Sequence, residues 1–316
     1  VRLTRLLTLL TCAGLTLATA VPAAAQQTAP ERLKVMSVNL WYGGTKVNDY
    51  RAKQVRFLRE QAVDVVAMQE TYSVAAKELA AELGWHHYQA SYSLGLISRH
   101  PIIAEYAPVN AAGKTLSGAG IRIRLPGGRE AVVWSAHLNY TPYGPYDACH
   151  SGMTNEQILR REEESQRPQE IRDILAELRE ELAESRHTPV ILAGDFNSPS
   201  HLDWTRATRK SHCGYALDWP TTREVAKAGL TDSYRTAHPD PARDPGNTWS
   251  PVYPWNDQAG KAEPQDRIDF IHVKGPLRVL DSRTVVVGTP KPVPNHRDNE
   301  WTSDHAAVVS TFRFTA

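Results

Sequence analysis

Between Pro189 and Asn197 the chain reads Pro-Val-Ile-Leu-Ala-Gly-Asp-Phe-Asn, and everything else must be built around this stretch. Its mostly apolar first half has no polar alternation, as expected of a strand covered on both faces. Gly194 then lets the backbone turn, and Ser198 and Pro199 stop the strand. Asp195 and Asn197, on either side of Phe196, can project into one cleft and hold a phosphate, a metal or an attacking water. They equally suit a turn in which both side chains satisfy backbone groups. The rest of the chain separates the two readings.

The first 25 residues read as a removable leader rather than part of the fold. Arg2 and Arg5 form a positive start, residues 6–20 an apolar run, and Ala23–Ala24–Ala25 a small-residue cleavage site, the pattern of a secretory signal peptide. The run is too short and wrongly flanked for a spanning helix. Cys12 follows Thr11, where a lipid-anchored precursor wants a smaller residue. The mature chain is expected to begin near Gln26, to carry no transmembrane segment and to be secreted as a single domain over residues 26–316.

Charge names no partner. Lys plus Arg total 36 against 35 acidic residues, and loss of Arg2 and Arg5 with the leader leaves the chain near −1. An obligate nucleic-acid binder usually carries a basic excess or stripe; here only Arg206, Arg209 and Lys210 cluster. Of the cysteines, Cys149 and Cys213 remain, and in an exported chain the default is that they pair.

From Arg32 onward, strand-like and helix-like patterns alternate without repeats. Strands are expected to end at Asn39 and at Gln69–Glu70, with others over 88–91, 95–98, 120–125 and 131–137. Helices are expected over 50–62, from a Ser73 cap to Gly84, and as one long element over 155–185. The Pro-rich stretch 238–265 reads as a surface loop. Five apolar runs then stop at polar residues suited to phosphate or metal chemistry: Asn39; Gln69–Glu70; His137–Leu138–Asn139; Asp195–Phe196–Asn197; and Ser303–Asp304–His305. In a sixth, Asp269 lies inside an apolar strand and needs a partner such as an imidazole N–H. Asn39 alone also fits a turn, and His137 alone a satisfied core histidine. Asp232 reads as structural, and His86, His87, His150, His187 and His212 as ordinary surface or loop residues.

The ordered set Asn39, Gln69–Glu70, Ser135–Ala136–His137, Gly194–Asp195–Phe196–Asn197, Arg267–Ile268–Asp269 and Ser303–Asp304–His305 resembles the endonuclease/exonuclease/phosphatase superfamily. Leu230 to Arg235, followed by Thr248–Trp249–Ser250, is similar to the stretch before that superfamily's Arg-Ile-Asp strand. The resemblance implies a four-layered α/β sandwich, two mostly antiparallel sheets packed face to face with helices outside. It also implies Mg²⁺-dependent hydrolysis of a phosphoester by in-line water attack, with Mn²⁺ or another divalent ion as substitute. Carried onto this sequence, Glu70 is the main metal carboxylate, with Asn39 and Asp304 near the ion. Asp195 orients or deprotonates water, and Asn197 donates to a phosphate oxygen. His305, held by Asp269, stabilises the phosphoryl group, and His137 protonates the leaving oxygen. Trp41 stands where the apurinic endonucleases have an aspartate, which argues against that branch.

Aromatic residues crowd these motifs. The loop 139–150 holds Tyr140, Tyr143 and Tyr146 beside His137, and Trp41, Tyr42, Trp249, Trp255 and Trp301 fall near the same strand ends. Any one of them is more often a core residue. Together they suggest an aromatic wall, with Trp41, Tyr140, Tyr143 and Trp301 as substrate contacts. Such a wall suits a cationic head group, a base or a lipid stem. The expected substrate is therefore a phospholipid-like or small organic phosphodiester. An extracellular nuclease is the alternative, and a non-catalytic binding module a minor one.

Overall fold

The computed structural model describes residues 32–109, 113 and 116–315; the expected leader lies outside them. In chain order the elements are β1 (Arg32–Asn39), α1 (Tyr50–Gln61), β2 (Val65–Gln69), α2 (Ala75–Leu83), β3 (His86–Gln89), β4 (Gly95–Ser98), β5 (Ile102–Tyr106), β6 (Gly118–Arg124) and β7 (Glu130–His137). There follow α3 (Gly144–Cys149), α4 (Asn155–Glu164), α5 (Arg167–Glu177), α6 (Arg179–Ala183), β8 (Val190–Asp195), α7 (Pro220–Lys227), β9 (Thr231–Asp232) and α8 (Ser233–Ala237). The hairpin β10 (Trp255–Asn256) and β11 (Lys261–Ala262) precedes β12 (Asp269–Lys274), β13 (Leu277–Val285) and β14 (Ala307–Phe314).

Two six-stranded sheets form, ordered β13-β14-β1-β2-β4-β3 and β5-β6-β7-β8-β12-β9. Each contains one parallel pair, β1/β2 and β7/β8; its other pairs are antiparallel. The sandwich expected from the sequence is thus the architecture found. Alternation along each strand divides the apolar residues between two layers. Leu33, Val35, Val65, Ala67, Ile191, Ala193 and Ile271 face the opposite sheet. Met36, Val38, Val66 and Met68 meet α1 and α2, while Val132, Trp134, Val190, Leu192 and Phe270 meet α5 and α7. Both faces being covered, the strands read as unbroken apolar runs. Near the site the sheets are also clamped by polar contact: Gln69 Nε2 donates to Ser135 Oγ at 2.9 Å.

Gly194 belongs to β8 and does not turn it. Its φ is 149°, and a Cβ there would lie 2.1 Å from the carbonyl oxygen of Ala136 in the neighbouring strand. Only glycine lets β7 and β8 run this close beside Asp195.

The helical expectations need two corrections. The long helix over 155–185 is three: α4 ends at Glu164, Gln166 adopts φ 70°, and Pro168 opens α5. Proline lacks the N–H an unbroken helix requires at that position, whereas in a first turn none is missed. Ser73 does not cap α2. Its φ is 64°, and the helix starts after Val74 without a side-chain cap. Gly84 does terminate α2 in the left-handed conformation. Cys149 and Cys213 are disulfide-bonded with Cα atoms 5.3 Å apart. Among the described residues, no helix is long and apolar enough to cross a membrane.

His272 in β12 gives the fold a pH dependence. It is buried against Phe196 and Phe270, and burial, helped by Arg267, pushes its imidazole down to about 4 against the pull of Asp232. The unfolded chain takes up this proton near pH 6.5 and the folded chain only near 4. Stability is therefore full above about pH 6.5 and is lost as pH falls towards and below 4, by about 3 kcal/mol in total. Urea unfolding at pH 7 and pH 5 should show this loss in the wild type and a shallower one in His272→Phe; equal slopes would remove His272 as the cause.

Candidate active site

One end of the sandwich collects the polar residues, and strand direction explains how. The parallel pairs bring the carboxyl ends of β1, β2, β7 and β8 to this rim. β12 and β14 run antiparallel to their neighbours, so they present their amino ends there. Two expectations change accordingly. Asp269 is the first residue of β12, and Ser303–Asp304–His305 precedes β14 instead of ending a strand. In register, Asp195 lies between His137 on one side and Asp269 on the other, so all three share one face of the sheet.

Asp195 is the centre of the constellation and is buried. Its Oδ1 accepts the Asn197 backbone N–H at 2.9 Å. Its Oδ2 accepts Asn39 Nδ2 at 3.1 Å and lies 3.7 Å from Nε2 of both His137 and His305. The His137 Nδ1 is 2.7 Å from Ser93 Oγ. The His305 Nδ1 donates to Asp269 Oδ2 at 2.8 Å, while Asp269 N–H donates to Thr248 Oγ1. Burial alone would lower the His305 pKa. The Asp269 and Asp195 charges and the Asp269 hydrogen bond outweigh it and raise the pKa well above its ordinary value, which favours the imidazolium, and its Nε2 faces Asp195 Oδ2 at 3.7 Å beside the cleft.

A second carboxylate group adjoins this one. Asn39 Nδ2 also donates to Glu70 Oε1 at 3.3 Å, and Glu70 Oε2 accepts the Tyr42 N–H at 2.7 Å. Asn39 therefore joins Glu70 to Asp195 through its nitrogen, while its oxygen takes the Trp41 N–H at 2.9 Å. Asp304 is buried and its Oδ1 has no partner. Burial, then the nearby Glu70 and Asp195 charges, raise its pKa to about 7 against the pull of His305. An orphaned oxygen beside another carboxylate is a donor set short of one positive charge, and oxygen donors of this kind suit a hard divalent cation. Asp195, Asp269 and His305 also bring their ligand atoms within 4.8 Å of one another. There Asp269 and His305 already share a proton, so that trio fits proton handling better than a metal.

The side chains line a cleft of about 700 Å³. Trp41 and Tyr140 border it as expected, as do Tyr42, Trp249 and Trp255. Trp301 does not. It is buried against Phe57, and its indole N–H holds the His305 carbonyl at 2.8 Å. Tyr143 does not line the cleft either; it is buried behind it, donating to Asp266 Oδ2 at 3.1 Å. Asn197 Nδ2 is engaged by the Leu138 carbonyl at 3.0 Å and, weakly, by Asp195 at 3.5 Å. Only the second contact is loose enough to turn to a phosphate oxygen. Sequence reasoning missed Ser93 and Glu263, which lie in irregular segments without periodicity, and found Thr248 only as part of a motif, without its role of holding the Asp269 backbone. Trp41, Tyr42, Glu70 and Asn197 all adopt left-handed backbone conformations, uncommon for such residues and concentrated where function demands them.

Residues 36–305 match the Endonuclease/Exonuclease/phosphatase family, and the chain belongs to it. An uncharacterized protein of Caenorhabditis elegans is 34% identical over 294 residues, covering 89% of this chain and 91% of its own length. A solved family protein of Bacteroides thetaiotaomicron superposes with a TM-score of 0.58 at 15% identity, covering 91% of this chain and 96% of that one. TDP2 of D. rerio, solved in complex with a single-strand DNA product, gives 0.57 at 17% identity, covering 90% and 100%. At these identities the solved structures speak to the fold alone.

Proposed function

We propose that this chain is a secreted, divalent-metal-dependent phosphodiesterase that acts on a phospholipid-like or small organic phosphodiester. The observation that carries the chemistry is Asp195 Oδ2 lying 3.7 Å from two imidazole Nε2 atoms, His137 on one side and His305 on the other. Asp195 orients the attacking water and takes its proton. His305, oriented and kept positive by Asp269 at its Nδ1, donates Nε2–H to a non-bridging phosphoryl oxygen and offsets the charge that develops there. His137, steadied by Ser93, gives the leaving oxygen its proton. Asn197 stands beside Asp195 to contact the phosphoryl group.

Glu70 and Asp304 would hold the cation, Mg²⁺ in the first instance, with Asn39 beside them orienting Glu70 through its Nδ2 rather than offering its own oxygen, which the Trp41 N–H takes. When bound, it supplies charge neutralisation of the phosphoryl oxygens. Replacing Glu70 with glutamine is expected to raise the Mg²⁺ concentration for half-maximal rate by tenfold or more; an unchanged titration curve would take Glu70 out of the metal site.

Export rests on the leader pattern, and a disulfide between Cys149 and Cys213 is a linkage that oxidising compartments preserve. The DNA complex of the D. rerio relative favours a second reading, an extracellular nuclease. Against it, the lining of the cleft contains no Lys or Arg among the described residues, whereas a groove tracking a phosphate backbone needs several. A salt titration of activity separates the two, since affinity for a polyanion falls steeply with ionic strength.

A further inference from the structure

The mouth of the cleft has a composition the hydrolytic step does not require. Nine lining residues are Trp or Tyr and five are carboxylates. Glu70, Asp195 and Asp304 belong to the reaction centre. Asp257 and Glu263 do not, and Glu263 is an organiser. Its Oε1 accepts Tyr146 O–H at 2.6 Å and Trp249 Nε1–H at 2.7 Å, and its Oε2 accepts Asn256 Nδ2 at 2.9 Å. One buried carboxylate thus clamps helix α3, the Trp249 segment and the β10–β11 hairpin around a common opening.

These bonds fix ring orientation. Trp249 stacks on Tyr253 with centroids 5.5 Å apart and meets the His305 ring at 5.0 Å, so the aromatic wall runs directly into the reaction centre. Opposite, Tyr42, Tyr72 and Tyr92 form a second run with centroids 5.4 and 4.7 Å apart. Trp255 stands half exposed at the rim on β10. An ammonium already sits on one of these rings, Lys46 Nζ lying 4.4 Å from the Tyr42 centroid. Aromatic faces backed by a buried carboxylate, with no Lys or Arg in the lining among the described residues and the two histidines held at the reaction centre, attract a cation and repel additional anionic groups.

Building on the phosphodiesterase reading, we propose that the mouth is a subsite for a quaternary ammonium group carried by a zwitterionic phosphodiester, with Glu263 as its specificity-determining residue. Glu263 acts twice: its hydrogen bonds hold Tyr146 and Trp249 in place, and its charge adds to the field of their π faces. The phosphate is then met by the histidines while the cation is met by the rings.

The test pairs a binding measurement with a kinetic one. Tryptophan fluorescence titration of the purified protein with choline and with its uncharged isostere 3,3-dimethyl-1-butanol reads the subsite without turnover. Choline should bind at least about tenfold more tightly, the size of a desolvated cation–π contact. In the kinetic arm, kcat/KM is compared for 4-nitrophenyl phosphocholine and 4-nitrophenyl 3,3-dimethylbutyl phosphate, which share a leaving group. The first should be preferred by a similar factor. That preference should shrink several-fold in Glu263→Gln and also in Trp255→Ala, whose exposed position makes folding a lesser concern. Equal binding of choline and the alcohol, with both diesters cleaved equally well, overturns the subsite and leaves the phosphodiesterase standing. Cleavage of neither diester overturns the phosphodiesterase reading, and the binding arm still decides the subsite.

Discussion

His305→Ala should lower turnover by roughly three orders of magnitude, the combined loss of a proton-bearing group and a phosphoryl contact. The melting temperature should move by only a few degrees, because the vacated space opens to the cleft and Asp269 can take a proton. Asp269→Asn separates the charge of the pair from its contact. An asparagine that turns its N–H₂ towards Nδ1 drives the Nδ1 proton off to solvent and leaves a neutral imidazole protonated on Nε2; one that turns its oxygen there still accepts Nδ1–H but lacks the charge that stabilises the imidazolium. Either way the imidazolium of His305 is less favoured, so kcat should fall by about 10²-fold or more with a smaller change in KM. Wild-type kcat in both variants would remove the His305–Asp269 pair from the mechanism.

The second large effect is structural and reaches the site through the chain. Arg267 stands two residues before Asp269 and is fully buried. Its Nε and Nη2 donate to Asp203 at 2.9 and 3.0 Å, and its Nη1 meets Asp232 Oδ2 at 2.8 Å outside hydrogen-bond alignment. Asp203 also accepts Arg235 Nε at 2.6 Å. Removing Arg267 strands two buried carboxylates, of which Asp232 keeps only the α8 backbone N–H of Arg235 at its Oδ1 and Asp203 keeps Arg235. Breaking a buried pair from one side costs about 3–5 kcal/mol, so Arg267→Ala should lower the urea midpoint sharply. It should also depress activity by loosening the start of β12. A variant as stable as the wild type would show that the network contributes nothing net.

How much of this was legible beforehand depended on whether the signal was local. The end of β8 could be read because an apolar run, a glycine and two polar residues stand together. Asn39, Glu70 and His137 could be read for the same reason, Asn39 and His137 closing a strand and Glu70 standing one residue past the end of β2. Asp304 and His305 were found through their motif, yet their place at the start of β14 was not, since strand direction is set by pairing with β1 and β13. The interruption at Gln166 was carried by Pro168, but the apolar stripe on both sides hid it. Trp301 resembled a cleft residue because it neighbours the motif; its burial against Phe57 in α1 is a long-range fact. Glu263 lay beyond reach, because it sits in an irregular segment without periodicity and Tyr146, the donor that ties it to α3, is 117 residues away in sequence.

The most direct measurement strips the purified protein with chelator and assays it with and without added Mg²⁺. The substrates are sphingomyelin micelles, a small phosphodiester and linear DNA. Metal-restored hydrolysis of the lipid or the small diester, exceeding that of DNA, is the expected result. Metal-restored cleavage of DNA alone would favour the nuclease reading, and no metal-restored hydrolysis of any of the three would contradict the account.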